Sequence, residues 1–379
     1  MSQPIDSIEA IVTVYSCLYV LVAVVIAAGI LRFRRQKPPD VVPSVSIIVC
    51  ARNEERTIRQ CIESLVALDY PADRLEIVLV DDESDDATRT IMEEYSRSFS
   101  HIRVLSTEHE PRDFPGKQRP LNLGIRESHG EIILVTDADC TVQPGWVYAH
   151  IAAYRENVGI VGGITKISTV SGRFFDYLQN CDQVSKLAVA MGCAGLGCPL
   201  TVMGNNMSFR RDAYEACGGF KTVGPSIVED VDLMYCIIST TPYCLGWIQD
   251  KDSTVISSPL DTITMFVEQR WRMLGVCRPI PFFGKVLLGI ECVMASVFTL
   301  SLFVLPWKPT LPGLISVMWL FGTGIVLYLV SVTSFSGILF VPVMLMFEML
   351  YGIILLKRNI HGKNGIVWKG REYEGKLRS

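Results

Sequence analysis

Glu131-Ile-Ile-Leu-Val-Thr-Asp-Ala-Asp139 is the stretch from which the rest of the chain can be read. Its apolar run, Ile132 to Val135, has the length of a buried strand and stops at two carboxylates one residue apart. In open α/β sheets ligands bind outside the carboxyl ends of the strands, so the pattern delivers charge to that edge. An Asp-x-Asp pair there offers the hard oxygen ligands that Mg²⁺ or Mn²⁺ prefers, and such an ion can bridge to the phosphates of a nucleotide. An isolated pair is more often just an acidic turn closing a strand, so the surrounding residues decide.

Upstream, Val45 to Val49 and Leu75 to Val80 read as buried strands, Thr57 to Ala67 as the helix between them, and Ile102 to Leu105 as a third strand. Alternation of this kind predicts a parallel sheet with helices on both faces. Polar residues gather where the strands end: Arg52-Asn53-Glu54, Asp81-Asp82-Glu83 and Asp137-Ala138-Asp139. Three acidic strand ends along one edge favour a site over a coincidence.

Composition sets the frame. The 379 residues are 49% hydrophobic, with 35 basic and 39 acidic side chains, which suits one soluble domain joined to membrane segments and makes nucleic acid an unexpected partner. Twelve cysteines fall without a Cys-x-x-Cys or Cys/His metal spacing, which favours reduced thiols in a cytosolic domain.

Ile11 to Leu31 is an uncharged run of spanning length, followed at once by Arg32, Arg34, Arg35 and Lys37. The basic flank after the run marks an uncleaved anchor and places the following domain in the cytoplasm. Pro38, Pro39 and Pro43 form a stiff linker. Val286 to Pro306 is a second span, and Gly313 to Leu356, about 66 Å as a helix, is long enough for two with a turn at Ser331 to Ser336. Glu291 and Glu348 are ionisable residues within these runs. Three crossings would put the basic tail outside; a cytoplasmic tail is favoured, with one segment interfacial or re-entrant. The expected divisions are an anchor and linker (1–43), a cytoplasmic catalytic domain (44–260), interfacial helices (261–284), two to three transmembrane helices (285–356) and a basic tail (357–379). The protein is thus expected to be integral to a bacterial cytoplasmic or equivalent membrane.

Several spaced motifs, in order over residues 44 to 275, resemble the family 2 glycosyltransferases of GT-A (Rossmann-like) fold. They are Cys50-Ala-Arg-Asn-Glu54, Val80-Asp-Asp-Glu-Ser-Asp85, Gly116-Lys-Gln-Arg-Pro-Leu-Asn122, Asp137-Ala-Asp139, Val228-Glu-Asp230 and Gln269-Arg-Trp-Arg272. The resemblance implies transfer of a sugar from a nucleotide diphosphate donor with inversion at the anomeric carbon. It puts the nucleotide at Asp82 with Glu54 nearby, and Lys117 near phosphate or sugar. It implies a metal on Asp139, with Asp137 reaching the ribose or the same ion. Asp230 falls where the family places its general base, although acids in a first helical turn also serve the macrodipole. Gln269 and Arg272 match a Gln-x-x-Arg-Trp pattern that meets acceptor and diphosphate, whereas Met273 replaces its tryptophan.

Leu187 to Met203, rich in glycine and apolar residues, is expected to be a loop or broken helix beside the site, where a greasy acceptor enters or the core simply packs. Gly204-Asn205-Asn206 precedes a strand at Met207 to Arg210. The tail Trp368-Lys-Gly-Arg-Glu-Tyr373 is similar to the terminal elements of ceramide glucosyltransferases and bacterial carotenoid glycosyltransferases. Together with the missing tryptophan it favours a non-processive enzyme that moves a hexose, glucose from UDP-glucose in the expected case, onto the hydroxyl of a membrane lipid such as a carotenoid or sphingolipid-like alcohol. A polysaccharide synthase or polyprenyl-phosphate sugar transferase is the alternative enzyme, and a silent membrane scaffold the alternative outside enzymes.

Overall fold

The computed structural model describes residues 3–33, 42–249 and 252–276, isolated positions between 282 and 293, and two short strands in the tail. The elements run α1 (Gln3–Ile30), β1 (Val45–Ala51), α2 (Ile58–Val66), β2 (Leu75–Asp81), α3 (Thr88–Ser98), β3 (Ile102–Ser106), α4 (Gln118–Glu127), β4 (Ile132–Asp137), β5 (Cys140–Thr141) and α5 (Trp146–Ala153). They continue with β6 (Val158–Gly162), β7 (Thr165–Ile167), α6 (Phe174–Gly195), β8 (Met207–Arg210), α7 (Arg211–Ala216), α8 (Gly219–Val223), α9 (Glu229–Thr240), β9 (Cys244–Trp247), β10 (Val255–Ser257) and α10 (Ile263–Val276). The tail strands β11 (Ile366–Trp368) and β12 (Arg371–Tyr373) pair antiparallel with each other.

A seven-stranded sheet in the order β3-β2-β1-β4-β8-β6-β9 forms the centre. Its strands β1, β2 and β4 are buried on both sides, and alternate residues feed separate cores: Ile48, Val78, Val80, Ile133 and Val135 on one face, Ile47, Val49, Ile77, Leu79 and Leu134 on the other. Full burial of each such side chain contributes about 1.5–3 kcal/mol. The sheet is mixed rather than all parallel. β8 runs antiparallel to both β4 and β6, with Met207 opposite Val135 and Arg210 opposite Ile132. The reason is where the chain has been: α6 and the residues after it bring it to the carboxyl edge, so β8 can only descend, leaving Gly204 to Asn206 on that edge. A second, three-stranded sheet β5-β10-β7 lies beside it.

The Leu187 to Met203 expectation is corrected in its first half. α6 is continuous to Gly195, and only the segment after it is irregular. Its glycines serve a helix crossing: a Cβ on Gly192 would lie 2.5 Å from Ile26, and one on Gly195 would lie 2.0 Å from the Gly29 carbonyl oxygen of α1. Arg32 closes the crossing by donating to the Gly195 carbonyl at 2.9 Å. One face of α1, with Ala23, Ile26, Ala27 and Ile30, is therefore buried, while Val14, Leu18, Leu21, Val24 and Val25 stay exposed. Within α1, Thr13–Ile30 is long and apolar enough to cross a membrane. Most of the expected span Val286 to Pro306 and all of Gly313 to Leu356, with its turn at Ser331 to Ser336, lie outside the described residues, as do Glu291 and Glu348. All ten described cysteines are free thiols.

Candidate active site

The loops that leave β1, β2 and β4 at one edge are stitched together. Asn53, in left-handed conformation at φ 54°, donates its amide to Ser84 Oγ (3.1 Å) and accepts from the Asp85 amide at its side-chain oxygen (2.9 Å). Arg52 donates to the Asp82 carbonyl at 2.6 Å, and Glu54 accepts from the Thr57 hydroxyl at 3.0 Å. The Asp82 carboxylate is itself buried. It accepts from Thr107 Oγ1 at 2.7 Å and lies 3.6 Å from the guanidinium of Arg119, which also meets Glu83 at 3.0 Å.

Cys50 at the end of β1 stands opposite Asp137 in β4. Lys117, just before α4, crosses the gap to donate to Asp137 Oδ1 and reaches the Gly204 carbonyl at 3.5 Å. The Gly204 amide donates to Asp230 Oδ2 at 2.7 Å, while Asp230 Oδ1 accepts from the Val231 amide at 2.8 Å. A Cβ at 204 would sit 3.1 Å from the Asp230 carboxylate, tight enough that the carboxylate would have to shift by a few tenths of an ångström. On the outer side, Asp139 accepts from Ser257 Oγ at 3.3 Å. Asp137, Asp139 and Cys140 place one ligand atom each within 4.8 Å of one another. Burial, then Asp139 nearby, pushes the Cys140 thiol far up, so it stays protonated and the hard carboxylate oxygens are the ligands on offer.

The electrostatics of this cluster are unbalanced. Burial works against the Lys117 ammonium, but Asp137, Glu229 and Cys50 outweigh it and raise its pKa. Burial, then the adjacent Asp230, raises Glu229 to about 7 despite Lys117. Asp230 is also raised by burial, against the pull of its two amide donors and Lys117. A buried carboxylate that holds protons near neutrality, beside a cation and two more acids, is suited to proton transfer.

The sequence matches the glycosyl transferase family 2 domain over residues 46–217 and the glycosyl transferase family group 2 over residues 132–355. The chain belongs to glycosyltransferase family 2. The probable glycosyltransferase YdaM of Bacillus subtilis is 31% identical over 220 residues, 56% of this chain and 52% of that protein. A beta-monoglucosyldiacylglycerol synthase of Trichormus variabilis is 30% identical over 194 residues, 51% of this chain and 41% of that protein. The glycosyltransferase thus spans about half the length of these relatives. A mannosyltransferase from Pyrobaculum calidifontis, solved with GDP-Man and Mn²⁺, shares the fold with a TM-score of 0.56 at 19% identity, covering 94% of this chain and all of the other.

Of the residues singled out from sequence, the glycosyltransferase brings Glu54, Asp82, Lys117, Asp137, Asp139 and Asp230 to one edge of the sheet. Gln269 lies on α10, half-buried, and the Arg272 side chain is outside the described residues. Sequence reasoning missed Arg119 and Gln118. Arg119 holds the Asp82–Glu83 turn, and buried Gln118 donates to the Gly224 carbonyl and accepts from the Ser226 amide, both at 2.8 Å, fixing the loop before Asp230. Both sit beside Lys117 in the same motif, which was the available signal.

Proposed function

We propose that this family 2 enzyme is an inverting, metal-dependent, membrane-anchored hexosyltransferase that moves a sugar, glucose from UDP-glucose in the first instance, onto the hydroxyl of a membrane lipid such as a carotenoid or sphingolipid-like alcohol. The observation that carries the reading is Asp230: a half-buried carboxylate fixed by the amide of Gly204, whose carbonyl meets the Lys117 ammonium that also holds Asp137. In this reading Asp230 takes the proton from the acceptor hydroxyl as its oxygen attacks the anomeric carbon, and inversion needs no second carboxylate as nucleophile. Glu54 and Asp82 line the nucleotide end, and Lys117 meets the diphosphate or the sugar. Asp139 and Asp137 would hold a divalent ion, Mg²⁺ or Mn²⁺, which would supply positive charge for the leaving diphosphate. Gln269 and Arg272 on α10 serve the acceptor and the diphosphate.

Three features support a lipid acceptor. A relative at 30% identity is named for a glycolipid product. The outer face of α1 is apolar and exposed over a length that suits a bilayer. The third is a set of exposed apolar side chains on the segment that opens α6 and on α10: Val170 (95% exposed), Phe174, Tyr177, Ile263 and Met265. The Arg173–Asp261 ion pair at 3.4 Å links these two segments, and Ser258, shortly before α10, donates to the Asp139 carbonyl at 3.2 Å. Residues 44–260 are the catalytic domain in this scheme, 261–284 the interfacial helices, and the chain after 285 returns to the membrane before a basic tail.

The test is transfer of radiolabel from a panel of UDP-sugars, with Mn²⁺ or Mg²⁺ supplied, into solvent-extractable lipid by membranes that contain the protein. Label in lipid, dependent on the added ion, is the expected result and names the sugar. Label in polymer that stays out of the lipid extract would replace this reading with a polysaccharide synthase.

A further inference from the structure

Away from the carboxylates already described, α6 carries a buried charge that the proposed chemistry does not use. The Asp182 side chain is 1% exposed and faces two cations: Arg270 of α10 at 2.7 Å and Lys186 of its own helix at 3.1 Å. The Arg270 guanidinium, 5% exposed at its side chain, lies over the Phe266 ring at 4.7 Å and also donates to Gln183 Oε1 at 3.4 Å. Gln183 in turn donates to the thioether of Met203 at 3.6 Å. Met203 is bonded to Gly204, whose amide holds Asp230 and whose carbonyl meets Lys117. A buried ion pair is weak support for stability, because desolvation offsets most of its attraction; what it supplies is a fixed geometry for the elements at its two ends. Here those ends are the helix that bears Gln269 and the residue pair that sets the Asp230 carboxylate.

We propose that Asp182 is a positioning residue for the transfer reaction: by clamping Arg270 and, through Gln183, seating Met203, it fixes α10 and the Gly204 amide relative to Asp230. This rests on the reading of Asp230 as the general base. Asp182 touches neither donor nor acceptor in this scheme, so its loss lowers turnover without weakening the donor. A mere tie between α6 and α10 behaves differently, since breaking it removes folded molecules and leaves the survivors fully active.

The experiment uses the full chain in detergent or nanodiscs, with Asp182→Asn, Arg270→Lys and Asp230→Asn compared against wild type. Competent sites are counted by the stoichiometry of UDP binding in the presence of Mn²⁺, and turnover of the nucleotide sugar is expressed per competent site. For Asp182→Asn the expected result is a UDP dissociation constant and donor KM within about twofold of wild type, with turnover per site down about thirtyfold, as a misplaced group requires. Arg270→Lys, which keeps the charge but loses the planar contact with Phe266, should fall in between. It also provides the second test if Asp182→Asn yields no folded protein. Unchanged turnover per site in both variants, or loss of UDP sites in step with activity, overturns the proposal. Asp230→Asn separates the two readings: if it turns over like wild type, the base assignment fails whatever Asp182 does.

Discussion

Two polar clusters meet in the segment 203–208, one partly and one almost fully buried, and they are opposite in kind. Lys117 and Asp230 meet at Gly204, Asp137 holds the same Lys117, and Glu229 adds a third acid around the one cation; Glu229 and Asp230 hold their protons more tightly than usual. Two residues on, Asn206 joins a cluster without a formal charge. Its side-chain oxygen accepts from Trp146 Nε1 at 2.9 Å and from His150 Nε2 at 3.0 Å, and its amide donates to the carbonyls of Ile164 (2.9 Å) and Ser253 (3.0 Å). His150 Nδ1 accepts from Ser208 Oγ at 2.8 Å, and Ser208 accepts from Tyr154 at 2.8 Å. With the tautomer assigned from this network, every donor has one acceptor. The contrast separates two uses of buried polarity: a completed neutral network holds the frame, and an uneven charged one leaves capacity for a ligand.

The contrast breaks if the charged cluster proves to be the one that stabilises the fold. Asp230→Asn is therefore the most telling substitution. It keeps the shape and removes the basic oxygen, so turnover should fall by about 10²- to 10⁴-fold. Stability should change little: neutralising the carboxylate relieves its desolvation, while the asparagine NH2 must face one of the two amides, of Gly204 and Val231, that donate to Asp230. Initial rates and a thermal unfolding curve on the same preparation measure both. A variant that unfolds early with normal turnover per folded molecule would exchange the roles of the two clusters.

Asn206→Ala makes the converse test. It leaves Trp146 Nε1, the His150 ring and two buried carbonyls without their partner, and each buried group so stranded costs about 1–3 kcal/mol. Part of that loss is recovered if water enters, so a destabilisation of about 4 kcal/mol is expected. Turnover per folded molecule should stay within about threefold at a temperature where the variant is folded, since the charged cluster keeps all its members. Chemical denaturation followed by tryptophan fluorescence would show it.

How much of this could be read from the chain differs between the two halves of the sheet. β1, β2, β3 and β4 were legible because parallel strands buried on both faces write continuous apolar runs, and because each run stops at acids. β8 was placed by sequence but not its direction, since four residues, Met207 to Arg210, have no polarity written in them; the direction follows from where α6 ends. Lys117, Asp137, Asp139 and Asp230 were legible as motif residues. Their partners were not: the contacts Arg119–Asp82, Asp182–Arg270 and His150–Asn206 join residues 37, 88 and 56 positions apart, and no local period links such pairs. Glycine misled the reading of α6, because its helix-breaking tendency was weighed without the neighbour, α1, that requires it at 192 and 195.

The smallest effect belongs to pH, and it sharpens the contrast from the neutral side. Burial lowers the pKa of His150 from an ordinary 6.5 to about 4, only partly opposed by its bond to Asn206. The unfolded chain therefore takes up a proton at this residue between pH 6.5 and 4 that the folded chain refuses. Stability attributable to His150 is intact above pH 6.5 and is lost as pH falls through that window, to a limit of about 3 kcal/mol for a shift of this size. Trp146, Asn206 and Ser208, which surround the ring, carry no charge and cannot offset the imidazolium. His150→Gln has no proton to gain, so its unfolding free energy, lower at neutral pH, should fall less steeply than wild type between pH 6.5 and 4.5. Parallel curves for the two proteins over that range would mean that the ring is already charged in the fold, and the cluster around Asn206 could no longer be described as neutral.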